Sequence, residues 1–119
     1  MINIAVVGSR NYPRMCEVKE YLNSLIYHLP DRSVNIITGG AVGVDKEAEN
    51  WALKKGVCFE VIRPVDPKDK FSYLLRNVEI ITKADYIVIF WDGISKGTKF
   101  VIDYCNQRGL NYLVSKVKE

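Results

Sequence analysis

Val34-Asn35-Ile36-Ile37-Thr38-Gly39-Gly40-Ala41-Val42-Gly43-Val44-Asp45 runs from a short apolar segment through three glycines into Lys46-Glu47-Ala48-Glu49-Asn50-Trp51-Ala52. In that last stretch Val44, Ala48, Trp51 and Ala52 recur at helical spacing. The apolar segment is nearly continuous instead of alternating, which is the pattern of a strand covered on both faces. Strand, tight glycine turn and helix make half of a strand–helix–strand unit.

The same unit recurs on both sides of this stretch. Apolar, β-branched or aromatic runs at Ile2–Val7, Val57–Ile62, Tyr86–Trp91 and Tyr112–Ser115 bring the predicted strands to five. Helical spacing joins Met15, Val18, Leu22, Leu25 and Leu29, then Phe71, Leu74, Leu75, Val78 and Ile81, then Val101, Tyr104 and Cys105. Gly56 after Lys54-Lys55 and Gly109 after Arg108 mark helix ends. Asp66-Pro67 reads as an N-cap followed by Pro at the first helical position, reached through a surface loop at Arg63–Lys70. Short right-handed links between such units give a parallel sheet. The expected fold is a single Rossmann-like α/β three-layer sandwich over residues 1–119, with a mostly parallel five-stranded sheet and about four helices.

Composition narrows the classes. At 119 residues and 48% hydrophobic, the chain has the length of one domain and enough apolar material for a core, which excludes disordered and low-complexity architectures. Seventeen basic against fourteen acidic side chains leave +3, scattered without a basic run, so a nucleic-acid partner is permitted and not argued for. Cys16, Cys58 and Cys105 form no paired spacing and His28 is the sole histidine, which leaves no set of zinc ligands. Sparse thiols suit a reducing interior, and Cys58 and Cys105 fall on expected core faces. The opening residues show no signal-peptide pattern, and the longest apolar run is far below the roughly 20 residues of a bilayer span. The chain is expected to be soluble and cytoplasmic, without membrane, metal or cofactor.

In an open parallel sheet, ligands gather beyond the carboxyl ends of the strands, at the point where strand order reverses. Three predicted strand ends carry small or glycine-rich loops: Gly8-Ser9-Arg10, Thr38 to Asp45, and Asp92-Gly93-Ile94-Ser95-Lys96-Gly97-Thr98. Glycines 39, 40 and 43 admit close backbone approach. The helix expected to begin around Ala41–Gly43 points free N–H groups and a positive dipole end at that space, and Gly97-Thr98 opens a second helix likewise. With Arg10 these suit a phosphate, while Asp45 or Asp92 could accept from sugar hydroxyls. The plainer account is that the glycines make tight turns and the Asp, Ser and Thr residues are caps. Gly43→Val is expected to weaken a ligand response with the fold intact. Arg76 is open to two accounts, a solvated helix face or a positive charge at the site edge, because it flanks the stripe at Leu75 and Val78. Trp51 and Trp91 read as core or pocket wall, and His28 as a helix-end residue.

Several motifs fail. Gly39 to Gly43 is not GxGxxG, and no GxxxxGK[ST] occurs. Gly93-Ile94-Ser95-Lys96-Gly97 matches GxSxG, but a nucleophile elbow needs a later histidine and His28 is upstream.

Taken together, Gly8-Ser9-Arg10-Asn11-Tyr12, the GGAxGVD element at 39–45 with Ala48 and Trp51-Ala52, Arg76-Asn77, Ala84-Asp85 and the FWDGxSxGT element at 90–98 resemble the YspA/YpsA-related branch of the SLOG superfamily. The resemblance spans nearly the whole chain. It implies a Rossmann-like fold related to the DNA-processing protein DprA and to LOG-type phosphoribohydrolases, and it allows a homodimer. The ligand contacts it implies are Gly8, Ser9, Arg10, Gly39, Gly40, Gly43, Asp45, Arg76, Asp92, Ser95, Gly97 and Thr98, to which the loop reading adds Thr38. LOG-type enzymes carry a glutamate in a GTxxE-like element; here Gly97-Thr98 is followed by Lys99-Phe100-Val101-Ile102. The expected function is binding or sensing of a nucleotide or nucleotide-derived ligand without catalysis. The alternatives are an N-glycosidic hydrolase using Asp45 or Asp92 on a nucleotide or ADP-ribose-like substrate, and DprA-like single-stranded DNA binding.

Overall fold

The computed structural model describes residues 1–29 and 33–116. Ile2–Gly8 forms β1, Val34–Thr38 β2, Cys58–Val61 β3, Tyr86–Trp91 β4 and Tyr112–Lys116 β5. The helices are α1 (Cys16–His28), α2 (Val44–Lys55), α3 (Lys70–Lys83) and α4 (Lys96–Arg108). The strands lie in the order β3-β2-β1-β4-β5 and every neighbouring pair is parallel. The chain is thus an α/β three-layer Rossmann-like sandwich, as the alternation of apolar runs and helical stripes predicts.

The two-residue period of the strands divides the core into two layers. Ile4, Val6, Ile36, Val88 and Phe90 face α1 and α2, meeting Val18, Leu22, Val44, Ala48 and Trp51. Ala5, Ile37, Ile87 and Ile89 face the other way, against Ile80, Ile81, Val101 and Cys105 of α3 and α4. Central β1 pairs with β2 on one side and β4 on the other, so Ala5 stands beside both Ile37 and Ile87. The first two helices cover one face and the last two the opposite face. Strand order therefore reverses at β1, and the carboxyl ends of β1 and β4 flank a crevice.

Local details depart from expectation at three points. α2 begins at Val44 with Gly43 at its N-cap, one residue past the expected Ala41–Gly43 start. α3 begins at Lys70, capped by Asp69, whose carboxylate accepts from the Phe71 N–H at 3.1 Å. Asp66 instead closes the turn before it, accepting from the Lys68 N–H at 3.0 Å. Cys105 is buried as expected, but Cys58 is exposed, because β3 is an edge strand. Both predicted glycine stops hold: Gly56 and Gly109 adopt left-handed conformations. Trp51 is core, with its indole N–H donating to Asn23 Oδ1 at 2.8 Å. Among the described residues no helix is long and apolar enough to cross a membrane.

Leu22 has no exposed surface, whereas Leu53 on α2 is 71% exposed. Leu22→Ala is expected to lower stability by about 2–5 kcal/mol in urea unfolding, and Leu53→Ala to change it by less than about 0.5 kcal/mol.

Candidate functional site

Bringing α2 against the end of β1 requires the absence of a side chain. A Cβ on Gly8 would lie 2.5 Å from the Val44 side chain. One loop on, Gly43 has φ +87° and its α-carbon sits against the Arg10 carbonyl, where a Cβ would overlap the backbone. The loops after β1 and β2 are consequently packed on each other. Gly43 is a structural contact between them rather than an open approach for a ligand. The expectation that Gly43→Val spares the fold gives way to this packing.

The β2 loop is braced from within. Asp45, in the first turn of α2, accepts with one carboxylate oxygen, Oδ2, from the Gly39 N–H at 3.1 Å and the Ala41 N–H at 3.3 Å. Arg76 of α3 donates through Nη1 to the Gly39 carbonyl at 2.6 Å and through Nε to Asn77 Oδ1 at 2.9 Å. Thr38, fully buried, donates its hydroxyl to Glu49 at 2.9 Å. The helix start expected around Ala41–Gly43 was to offer free N–H groups to an anion; the Ala41 N–H is instead taken by the chain's own carboxylate.

The β4 loop is organised similarly. Asp92 Oδ1 accepts from the N–H groups of Ile94 (2.9 Å) and Ser95 (2.8 Å). The Ser95 side chain caps α4, accepting from the Thr98 N–H. Ser9, buried beneath both loops, accepts from the Asp92 N–H at 3.2 Å and lies 3.4 Å from the Thr98 hydroxyl. Trp91 donates from its indole to the Ser95 carbonyl at 3.0 Å, tying the loop to the end of β4. In the first turn of α4, Lys96 and Gly97 have no carbonyl one turn back to bond, so their N–H groups and the helix dipole remain directed outward.

Between these loops opens a hollow of about 470 Å³. Gly8, Arg10, Asp45, Arg76, Asp92, Ser95, Gly97 and Thr98 of the sequence-predicted set line it. Ser9, Thr38, Gly39, Gly40 and Gly43 stand behind its wall and shape it; Gly40 faces Val61 and Arg63 on the β3 side. Asn11, Ala41, Tyr73, Leu74, Asn77 and Ile94 also line it and were missed. The four-residue spacing of Tyr73 and Asn77, which sets both on the helix face of Arg76, was the available signal. Arg76 reaches the edge of the hollow instead of lying on a wholly solvated helix face. Its guanidinium lies 5.3 Å from the centroid of the Tyr73 ring and feels the charges of Arg10 and Arg63. Three of the scattered basic residues of the sequence, Arg10, Arg63 and Arg76, thus come near one another at one rim.

The two carboxylates of the hollow are driven in opposite directions. Burial pushes the Asp45 carboxyl up to about 6, against the opposing pull of the Ala41 N–H, the Arg76 guanidinium and the Gly39 N–H. The N–H of Ser95, helped by that of Ile94, holds Asp92 below the usual carboxylate range. Among the described residues no group of three or more His, Cys, Asp or Glu side chains is placed to hold a metal ion.

Asp45 binds its proton more tightly folded than unfolded, so the stability that proton supplies is complete below about pH 4 and lost as pH rises through 6. Urea unfolding of wild type relative to Asp45→Asn should therefore show wild type losing up to about 3 kcal/mol between pH 4 and 7; a constant difference would contradict the raised pKa. Gly43→Ala should lower the melting temperature, since it combines positive φ with overlap on Arg10.

A family model described as DNA recombination-mediator protein A matches residues 1–85. No curated protein matches the chain. Among solved structures, DNA processing protein A (DprA) from Streptococcus pneumoniae superposes with a TM-score of 0.76 at 18% identity, over 96% of this chain and 50% of that one. DNA processing protein A from Helicobacter pylori, described for its single-stranded DNA binding mode, gives 0.71 at 22% identity over 95% and 64%. The protein TM1055 gives 0.66 at 19% over 94% and 72%. The chain spans about half the length of the pneumococcal protein. These structural likenesses establish a common fold; the family match over residues 1–85 establishes kinship, and the chain belongs to the DNA recombination-mediator protein A family.

Proposed function

We propose that the chain binds a nucleotide unit in the hollow at the carboxyl edge of its sheet, without carrying out chemistry on it. The observation that carries this reading is the convergence of Arg10, Arg76 and the first turn of α4 on one space. Two guanidinium groups and a helix N-terminus are the groups that suit a phosphate. Arg76 is already fixed by Gly39 and Asn77, so little ordering is left to be done when a ligand arrives. The volume, about 470 Å³, lies within the roughly 300–1,000 Å³ of small-molecule sites. Asp92 is held ionised by backbone N–H groups, and one oxygen of Asp45 is occupied by the loop. Asp92, held ionised, is a poor acid for a glycosidic cleavage, which favours binding over hydrolysis. We read residues 1–119 as one such domain and, on the GGAxGVD and FWDGxSxGT elements, as a member of the YspA-related branch.

The nucleotide unit has two sources, a single DNA strand or a free nucleotide. The family relationship and the single-stranded DNA binding described for the Helicobacter pylori protein support the strand. So does exposed Arg63, which extends the basic rim beyond the hollow, and Tyr73, whose ring lines the wall where a base could stack. The small-molecule size of the hollow supports the free nucleotide.

Fluorescence anisotropy with labelled oligo(dT), competed by adenosine 5′-monophosphate, tests the site. Binding of either probe should weaken at least about tenfold in Arg10→Glu, and oligonucleotide binding should fall with salt at a slope of about −0.7 per phosphate contacted. Tight oligonucleotide binding resisted by millimolar nucleotide assigns the strand, and nucleotide binding without oligonucleotide binding assigns the free ligand. An Arg10→Glu variant that binds as wild type does would overturn the site.

A further inference from the structure

The two edges of the sheet are finished differently. β3 has four residues, and its Glu60 is held in an ion pair with Lys83 at 2.9 Å, so charge guards that edge. β5, at the other end of the strand order, runs Tyr112-Leu113-Val114-Ser115 without charge, proline or glycine before Lys116. The phase of its pairing with β4 fixes what it shows to the outside. The Ile87 N–H donates to the Asn111 carbonyl at 3.1 Å, so in the parallel ladder Asn111, Leu113 and Ser115 turn their backbone groups to β4. Tyr112 and Val114 direct theirs away from the sheet, where no described strand meets them. Leu113, beside Val88 on the α1 face, is 51% exposed. An open, uncharged edge with a half-exposed leucine is a template for another strand.

The strand that fits this template is β5 itself. When a second copy is turned antiparallel about Leu113, Tyr112 lies opposite Val114 of the partner subunit, and Val114 opposite the partner's Tyr112. These are the residues with outward N–H and C=O groups, so each pair exchanges two hydrogen bonds. Both are aromatic–β-branched pairs, a favourable combination across strands. Leu113 meets its own copy in the close, non-hydrogen-bonded position, which takes its exposed side chain out of water. No charge faces a like charge, since Lys116 lies beyond the paired residues. The register one step on would set Leu113 against Ser115 and leave it half in solvent. We infer that the chain forms a twofold dimer through β5, which joins two five-stranded sheets into one continuous sheet. Antiparallel pairing points the two carboxyl edges in opposite directions, so the dimer is independent of what the hollow holds. The seam is short, and the association is therefore reversible and concentration-dependent.

Sedimentation equilibrium of the full chain and cysteine cross-linking test the seam. The mass is expected to rise from 13.6 kDa towards twice that value as concentration reaches the order of 100 µM. Leu113→Arg sets like charges against each other at the axis, and Val114→Pro removes an outward N–H and none bonded to β4. Each variant should stay monomeric over that range. Leu53→Arg, which adds the same charge on the exposed surface of α2, should leave the dimer in place. In a Cys16→Ser, Cys58→Ser background, Leu113→Cys should form an intermolecular disulfide under mild oxidation, and Leu53→Cys should not. The α-carbons of the Leu113 pair lie about 4.5 Å apart in the proposed register, within disulfide reach. Far-UV circular dichroism separates loss of the dimer from loss of the fold, and the Leu113→Cys cross-link decides if either monomeric variant unfolds. A wild type that stays monomeric throughout overturns the inference. So does a dimer that survives Leu113→Arg, or one in which Leu113→Cys fails to cross-link.

Discussion

The peptide of Gly39 is gripped from both sides of the sheet. Its N–H bonds to Asp45 at the start of α2, and its carbonyl takes Arg76 from α3. Those helices belong to opposite layers, so a single peptide unit at the end of β2 couples the two halves of the sandwich. The grip holds the β2 loop shut, fixes the guanidinium and sets Asp45 at the floor of the hollow. The position of the rest of the site follows from it: Gly8 admits Val44, Gly43 rests on Arg10, and Ser9 passes the alignment to Asp92 and Thr98.

The fold was legible because burial on both faces leaves an unambiguous trace. Runs such as Ile36-Ile37 and Ile87-Val88-Ile89 offer an apolar residue to each core layer in turn, and only a strand sandwiched by helices has use for that. Helix stops were equally plain, since Gly56 and Gly109 supply a backbone conformation that other residues rarely adopt. Edges were less so. Cys58 looks like a core residue by type, yet its exposure follows from strand order, which no local pattern encodes. Asp66-Pro67 has the form of a cap and serves a turn, because a second aspartate three residues later was nearer the first helical N–H groups.

For the site, the sequence displayed which loops matter and concealed how they are satisfied. That Asp45 would turn back on its own loop depends on a carboxylate reaching backbone six residues earlier, a matter of folded distances. The basic rim was hidden for a related reason. Arg10, Arg63 and Arg76 are far apart along the chain, so a net charge of +3 gave no hint of local concentration. Parallel topology brings every second loop to the same end of the sheet, and modest charge spread evenly in sequence becomes a focused field in space.

The division of labour within Asp45 carries a cost for divergence. One oxygen is mortar for the fold while the residue also lines the cavity, so it answers to two selective pressures at once. A descendant that altered its ligand by replacing this side chain would also loosen the joint between the sandwich's outer layers. New preferences are accordingly easier to reach through the exposed wall, at Asn11 or Ile94, than through the floor.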